Sequence, residues 1–295
     1  MGGNRTRGRD YQWCDELGEI GDDGQLGAKE VGMSYVGTWD WVLETEGTLR
    51  RQDRIRLVGQ GIAARLTRMP SQWRSRLFGE HATLAMPEPP DSSLTREVEG
   101  RVRELSSPAL YGHCARTWAF AELFAQRDRV EHDSELLYLA CMLHDLGLTE
   151  SHWDRDAHSK CFAVEGARAA QALMHAHGAS QARAGKVAEA ISLHLNVTVP
   201  ARLGPEAHLL SKGVSLDVVG RRLHQIALPA VQRVDAQWPR EKFADELAGA
   251  TSRQAQLRPE SRSGLLHKLG FVKLIEHNPL ARSGVDGADR AASTS

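Results

Sequence analysis

Residues 136–147 read LLYLACMLHDLG, an apolar helical run that ends on a histidine and an aspartate. Nine of these twelve residues are common in helical cores, so the segment predicts a buried helix. His144 and Asp145 then place two polar side chains where each loses its hydration, which costs free energy unless a partner is present. One metal ion would satisfy both side chains. The pair therefore predicts a metal site at the end of a buried helix.

The rest of the chain shows the apolar spacing of helices, which predicts an all-α fold. The segment MPEPPDSS at 86–93 interrupts this spacing, and its Asp91, Ser92 and Ser93 are candidate N-caps for the helix that follows. Asp133 or Ser134 is the candidate cap of the helix that contains the opening segment. The predicted helices are two or three between 38 and 79, then 93–105, 107–127, 134–147, 159–178, 182–196, 213–226, 240–255 and 263–280.

These helices and breaks divide the chain into five segments. Residues 1–34 are rich in Gly, Asp and Arg and have little periodicity, so we predict a flexible arm. Residues 35–90 form a predicted N-terminal helical hairpin and linker, and 91–230 a central metal-binding domain. We expect further helices over 231–284 and a flexible polar tail over 285–295.

Composition narrows the class of protein. A chain of 295 residues is long enough for a large hydrophobic core. The formal net charge of -1 provides no basic surface for nucleic acid, and no segment approaches the roughly 20 apolar residues of a membrane span. The four cysteines lack CxxC spacing, which favours a reducing compartment. We therefore expect a cytoplasmic protein with a small-molecule substrate and with neither a nucleic-acid nor a membrane partner; homo-oligomer formation stays open.

Four polar elements occur in order within apolar helical segments: His113, the pair His144–Asp145, His194 and Asp217. Imidazole and carboxylate ligands suit a divalent ion such as Fe, Mn or Zn. Four protein ligands leave at least one coordination position of the metal ion for water or substrate, as in catalytic metal sites. The structural alternatives are a core histidine at His113, a helix end at His144–Asp145 and a helix-surface carboxylate at Asp217.

This order of residues resembles the HD-domain superfamily of metal-dependent hydrolases, over roughly residues 92–225. The resemblance implies a helical bundle and a metal ion held by His113, His144, Asp145 and Asp217. The segments YGHCARTWAF, LHDLGLT, SKCFAVEGARAA and SLDVVG are further similar to the cyanamide-hydratase-like branch of that superfamily. Two-metal members carry an adjacent histidine pair that this chain lacks, so the resemblance implies one divalent ion, Fe, Mn or Zn.

The same resemblance implies catalytic residues. Asp145 would orient the attacking water as well as bind the ion, and His194 and Glu165 would line the same site. Three roles stay open for His194: a further metal ligand, a residue that faces the substrate, or a core histidine. Glu165 is otherwise a surface or ion-paired carboxylate. His208 is a further candidate ligand.

Three residues near these elements are candidates for substrate binding. Arg116 lies one turn after His113 and shares its helix face, so it either binds an anionic group of the substrate or forms a structural ion pair. His152 and His158 flank WDRDA just after the His144–Asp145 pair. They are either proton shuttles, because histidine titrates near neutral pH, or solvated loop residues.

We expect a metal-dependent hydrolase that uses a metal-activated water on a phosphoester or another small molecule, and hydration of a small nitrile-type substrate stays open as the alternative. A metal-dependent hydrolase acting on a phosphoester needs cations around the substrate, and Arg116, Lys160, Arg168 and Lys186 are the candidates. A cyanamide-hydratase-like enzyme, which hydrates a small nitrile-type substrate, needs a closed apolar pocket, and the central helices are rich enough in apolar residues to form one. The third alternative is a sensor module that binds metal and ligand without turnover.

Overall fold

A computed structural model of the chain describes residues 34–66, 84–152 and 161–281, and the regular structure within these ranges is helical. The all-α prediction is therefore confirmed. The predicted arm up to residue 33, the tail at 285–295 and a third N-terminal helix between 67 and 79 lie outside the described residues. The helices are α1 (Trp39–Thr45), α2 (Arg51–Leu66), α3 (Ser93–Leu105), α4 (Pro108–Asp128), α5 (Ser134–Leu143), α6 (Phe162–Ala176), α7 (Gln181–Leu193), α8 (Pro205–Val219), α9 (Leu228–Gln237), α10 (Phe243–Leu257), α11 (Arg262–Lys268) and α12 (Phe271–Glu276).

Short polar side chains begin the central helices where the sequence predicted them. The Ser92 hydroxyl accepts a hydrogen bond from the Thr95 N–H at 3.1 Å, and Thr95 Oγ1 accepts from the Ser92 N–H at 2.9 Å. Asp133 caps α5 by accepting from the N–H three residues later at 3.0 Å, and Ser107 caps α4 in the same way. These bonds replace the backbone partners that a first helical turn lacks, so the helices begin at defined residues.

The close contact between α4 and α8 brings two of the predicted site residues together. A Cβ atom added at Gly213 on α8 would lie 2.3 Å from the carbonyl oxygen of Thr117 on α4, so the two backbones can approach this closely only at a glycine. His113 lies one turn before Thr117, and Asp217 lies one turn after Gly213. The glycine contact therefore places His113 beside Asp217.

Helix α5 ends earlier than the sequence predicted, and this matters for the site. The prediction of a helix that runs to Gly147 was wrong, because α5 ends at Leu143 and a 3₁₀ turn follows over Leu146–Leu148. Adjacent residues of a continuous α-helix do not face each other. Asp145 instead adopts φ -106° and ψ 14°, and its carboxylate reaches the ring of His144. A Cβ at Gly147 would lie 2.1 Å from the Phe162 carbonyl oxygen, so Gly147 permits α6 to pack against this turn.

Two further helix predictions were wrong in their bounds, and in each case a glycine ends or interrupts the helix. The helix predicted over 213–226 begins at Pro205 and ends at Val219, because Gly220 takes a left-handed conformation with φ 65°. The helix predicted over 263–280 is divided into α11 and α12 by Gly270, with φ 83°. Glycine adopts such angles without steric cost and therefore commonly follows the last residue of a helix.

The N-terminal and C-terminal helices pack together against one side of the central helices. All described residues belong to one compact unit that begins at Ser34. Arg262 on α11 is buried, donates to the Ser192 carbonyl oxygen of α7, and lies 5.1 Å from the Trp41 ring of α1. The apolar side chains of these helices and of the residues next to them form one group, called the terminal cluster below, which contacts Leu148, Phe162 and Val218 of the central part of the chain. Its members include Val36, Trp41, Val42, Leu49, Leu57, Phe243, Leu247, Leu265 and Ile275.

Replacement of Gly213 tests the close helix contact. We expect Gly213→Ala to lower the free energy of unfolding by about 1–3 kcal/mol, because the added methyl group forces α4 and α8 apart. Urea denaturation followed by circular dichroism measures the change. Gly100→Ala on α3 is the matched control, since an added Cβ there meets no atom within 4 Å and alanine favours a helix. An equal loss of stability in both variants would contradict this explanation.

Candidate metal centre

Three of the predicted metal ligands converge at one buried point. Among the described residues, His113, His144 and Asp145 each offer one ligand atom, and these atoms lie within 4.8 Å of one another. The two Nε2 atoms of His113 and His144 are 3.1 Å apart, and each lies 3.4 Å from Asp145 Oδ2. Helix α4 supplies the first residue, and the turn after α5 supplies the other two.

Hydrogen bonds orient the histidine rings of the site. The Nδ1 atoms of His144 and His194 each donate to the carbonyl oxygen three residues earlier, at 2.7 Å and 2.6 Å. His113 Nδ1 donates to Asp217 Oδ2 at 2.7 Å. A ring that donates from Nδ1 presents the lone pair of Nε2 when it is neutral. Bonds of this kind fix the tautomer and the orientation of metal-binding histidines.

The arrangement fits a divalent cation. The Nε2 atoms of His113 and His144 meet the carboxylate of Asp145 in a buried space, where lone pairs and negative charge repel unless a proton or a cation lies between them. Burial lowers the pKa of His144 and favours its neutral form. Burial also acts to raise the pKa of Asp145, but His144 and His113 outweigh it and hold that pKa well below its usual range. A neutral imidazole beside an ionised carboxylate is a suitable ligand set for Fe, Mn or Zn.

His113 differs from His144 because it contacts two carboxylates. Burial by itself lowers the pKa of His113, but the hydrogen bonds to Asp145 and Asp217 outweigh burial and raise it. When no cation is bound, a proton on the His113 ring relieves the repulsion of that ring with the His144 Nε2 and the Asp145 carboxylate. A metal ion therefore has to displace that proton, as is general for histidine ligands.

His194 lies next to this group. Its Nε2 is 3.7 Å from Asp145 Oδ1, and its ring lies edge-on to His144 with 5.1 Å between the centroids. Burial and then the nearby His144 lower the pKa of His194 to about 3, so its ring is neutral at neutral pH. The position beside Asp145 is compatible with contact to a water molecule or a substrate at the centre, which is one of the roles left open by the sequence.

Asp217 lies on the opposite edge of the His113 ring from His144 and Asp145. Its Oδ1 accepts from Arg116 Nε at 2.8 Å, and its Oδ2 accepts from Arg116 Nη2 at 3.2 Å as well as from His113. Burial acts to raise the pKa of Asp217, but Arg116 and Arg240 outweigh it and keep the group ionised. In this geometry the carboxylate orients His113. Direct ligation of the metal by Asp217 stays a prediction.

The structure favours the ion-pair role of Arg116 over substrate binding. The side chain is 0% exposed, and its Nη1 donates to the carbonyl oxygens of Trp238 and Pro239 at 3.1 Å and 3.0 Å. Nε and Nη2 are both bound to Asp217, so each nitrogen of this buried guanidinium already has a partner within the protein. The sequence reveals the shared helix face of Arg116 and His113, but it does not reveal where the carboxylate partner lies.

The remaining candidates are outside the three-residue group, and one of them is outside the described residues. Glu165 lies in the first turn of α6, 3.9 Å from Arg168 Nη1, and its catalytic role stays a prediction. His152 Nδ1 lies 2.8 Å from the Thr149 hydroxyl, and its substrate role also stays a prediction. His158 is outside the described residues. His208 Nδ1 donates to the Val199 carbonyl oxygen in the first turn of α8, away from the three-residue group.

Three contacts to the site come from the C-terminal part of the chain and were missed in the sequence. Arg240 Nη2 lies 2.7 Å from Asp217 Oδ1, and the Phe243 ring stacks on His113 with 4.7 Å between the centroids. Asn278 Nδ2 donates to the Asp217 carbonyl oxygen at 2.7 Å. No local pattern distinguishes these residues from ordinary helical ones, because each contact joins segments far apart in the chain.

The fold and the site define an all-α domain built around a buried His-His-Asp centre. The family model described as the HD domain matches residues 110–226, which run from the start of α4 to just beyond α8. This central part of the chain is therefore an HD domain, as the sequence resemblance predicted.

Two similar proteins of Saccharomyces cerevisiae are cyanamide hydratase DDI2 and cyanamide hydratase DDI3. The chain is 29% identical to each over 163 residues, which cover 53% of this chain and 70% of the relative. These matches confirm the resemblance to the cyanamide-hydratase-like branch and, with the HD domain, identify a metal-dependent hydrolase or hydratase. None of the helices in the described ranges is long and apolar enough to cross a membrane.

Metal content tests the three-residue group directly. We expect about one equivalent of a divalent metal in the wild-type protein purified without chelator, and a large loss in Asp145→Ala, because the carboxylate supplies the only negative charge among the three ligands. Elemental analysis provides the measurement. His208→Ala is the control, since it removes an imidazole outside this group. Equal metal content in wild type and Asp145→Ala, including after reconstitution, would exclude this site.

Loss of Arg240 tests the support of Asp217 from the C-terminal segment. We expect Arg240→Met to lower the free energy of unfolding by about 1–3 kcal/mol, because a buried carboxylate loses one charged partner and keeps Arg116. Chemical denaturation measures the loss. Arg233→Met, which removes an exposed hydrogen bond to the Leu84 carbonyl oxygen, should change the stability by no more than about 0.5 kcal/mol. Similar values for the two variants would show that Arg240 does not support Asp217.

Proposed function

We propose that this protein hydrates a small, neutral, nitrile-type substrate and does not act on a phosphoester. The observation that carries the proposal is the charge balance of the site. The guanidinium groups of Arg116 and Arg240 are both paired with Asp217; Arg240 also pairs with Asp235, and Arg116 also donates to two backbone carbonyls. A phosphate group needs cations that are available to it, whereas a neutral substrate does not.

The other cations considered for a phosphate do not alter this balance. Arg168 has 39% of its side chain exposed and lies beside Glu165, and Lys186 is exposed on α7. Lys160 lies outside the described residues. The positive charges of Arg116 and Arg240 therefore match the requirements of Asp217 rather than those of an anionic ligand. Arg262, a further cation near His194, is buried and donates to the Ser192 carbonyl oxygen.

The surroundings of the site also support a neutral substrate. His194 and Val218 line a cavity of about 210 Å³ whose other lining residues are mostly apolar. Apolar cavities with few polar groups are typical of sites for neutral small molecules. The names of the yeast relatives, cyanamide hydratases, agree with this class of substrate.

The side chains of the centre have separate parts in such a reaction. A divalent ion bound here would polarise the substrate and lower the pKa of water towards about 7. Asp145 Oδ1 and His194 Nε2, 3.7 Å apart, are two acceptors that can orient one water molecule towards the nitrile carbon. His194 is suited to this role because its Nδ1 proton is held by the Ile191 carbonyl oxygen and its Nε2 stays unprotonated.

The overall reaction adds one water molecule to the carbon–nitrogen triple bond. The water oxygen bonds to the carbon, both water protons end on nitrogen after tautomerisation, and the product is an amide, or urea when the substrate is cyanamide. No electron acceptor or donor is required. The protein has to orient the water and hold a proton briefly at Asp145 or His194.

An activity comparison tests the proposal. We expect the metal-loaded protein to form urea from cyanamide and to leave p-nitrophenyl phosphate unchanged. Phosphate release from the ester without hydration would favour the phosphohydrolase alternative. Retained metal with neither product would contradict hydration of cyanamide and favour the sensor alternative.

The role of His194 can be separated from metal binding. We expect His194→Ala to lower kcat for hydration by about 10²- to 10⁴-fold while metal content stays near that of the wild type, because the change removes an acceptor for water. His208→Ala is the control and should keep the rate. If His194→Ala loses the metal together with activity, His194 is a ligand and this assignment is wrong.

A further inference from the structure

We propose that the cavity beside His194 binds the apolar group of the substrate, so that this protein acts on nitriles bulkier than cyanamide. The inference rests on the proposed function and names the class of substrate: a neutral nitrile that carries an aromatic ring or an alkyl group of similar size. Segments outside the HD domain match, α2 and the stretch from α11 to α12, supply eight of the eighteen lining residues, so the family resemblance accounts for only part of the cavity.

Four parts of the fold form the walls of this cavity. Helix α8 contributes a continuous face, because its lining residues recur at the spacing of one side of a helix. Helix α2, the stretch from α11 to α12, the segment after α7 and Arg221 after α8 supply the other lining residues. The residues are Leu57, Val58, Gly61 and Ile62; Ser211, Val214, Ser215, Val218 and Val219; Leu266, Leu269, Phe271 and Leu274; and His194, Leu195, Asn196, Val197 and Arg221.

The lining residues extend from solvent to His194, which neighbours the candidate metal ligands. Ile62 and Leu269 are 54% and 41% exposed, so this end of the lining lies at the protein surface. At the other end, His194 and Val218 are buried. His194 is also the residue whose Nε2 lies 3.7 Å from Asp145, so His194 is the link between the cavity and the candidate metal ligands.

The size and charge of the cavity determine what it can hold. Its volume of about 210 Å³ exceeds the ~150 Å³ of an apolar cavity that accommodates benzene, so it has room for a substituted ring. Cyanamide would leave most of this volume empty. Arg221 is the one cationic residue of the lining. Its guanidinium donates to the Val197 carbonyl oxygen and to the Thr198 hydroxyl, so it already has partners within the protein. An apolar, uncharged group is therefore the matching occupant.

Two glycines on the same helix provide a matched pair of variants. Gly61 lines the cavity, and an added Cβ there meets no atom within 4 Å, so Gly61→Leu places a side chain in the open space without a backbone clash. Gly59 also has no atom within 4 Å of an added Cβ, but it is exposed and does not line the cavity. Both changes replace a glycine within a helix by a better helix former, so both variants should fold.

The probe is 4-fluorobenzonitrile, titrated into the full-length, metal-loaded protein and followed by fluorine NMR. We expect the wild type and Gly59→Leu to bind the probe with similar affinity, and Gly61→Leu to bind it at least about tenfold more weakly, because the new side chain occupies the space of the ring. Hydration of the probe should fall in Gly61→Leu, mainly through KM, while hydration of cyanamide should change much less.

The outcomes separate the two proposals. Absence of binding to the wild type, or equal affinity in wild type and Gly61→Leu, overturns the assignment of the cavity. Binding that Gly61→Leu weakens, without hydration of any nitrile, supports the cavity as a ligand site and overturns the proposed function alone. Hydration of cyanamide but not of the bulkier nitrile overturns the present inference and leaves the proposed function in place.

Discussion

The buried carboxylate of Asp217 is the group on which the rest of the site depends, because three parts of the chain are joined through it. It accepts hydrogen bonds from Arg116 and His113 on α4 and pairs with Arg240 just before α10. A buried negative charge is unfavourable unless such partners surround it. The position of His113, and through it the convergence of His113 with His144 and Asp145, therefore depends on an ion-pair network that is complete only in the folded chain.

This network gives the helices outside the HD domain match a direct part in the site. Arg116 donates to the carbonyl oxygens of Trp238 and Pro239, and Phe243 stacks on His113. Helices α2, α11 and α12 also contribute lining residues to the apolar cavity. The HD domain thus supplies the candidate metal ligands, while the segments on either side of it orient one ligand and shape the space beside the centre. Differences in substrate among similar proteins are expected to arise in these flanking segments rather than in the ligand group.

The same network also favours a neutral substrate. Arginine near a metal site in a hydrolase is commonly interpreted as a group that binds phosphate, but here its charge is balanced within the protein. The charge that remains at the centre is the carboxylate of Asp145, which attracts a cation. The neutral ring of His194 and the apolar cavity then form the surroundings of that cation. Together these features are consistent with hydration of an uncharged molecule.

The sequence alone determined the helical class, the caps at Ser92 and Asp133, the candidate ligands His113, His144 and Asp145, and the HD resemblance, because apolar spacing and residue order are local properties of the chain. It did not determine that α5 ends at Leu143, that Arg116 is neutralised, or that Arg240 and Phe243 reach the site. Those outcomes depend on close backbone contacts at Gly147 and Gly213 and on pairs separated by many residues. Only the tertiary structure decided them, because a buried charge selects its partner by distance in space and not by distance along the sequence.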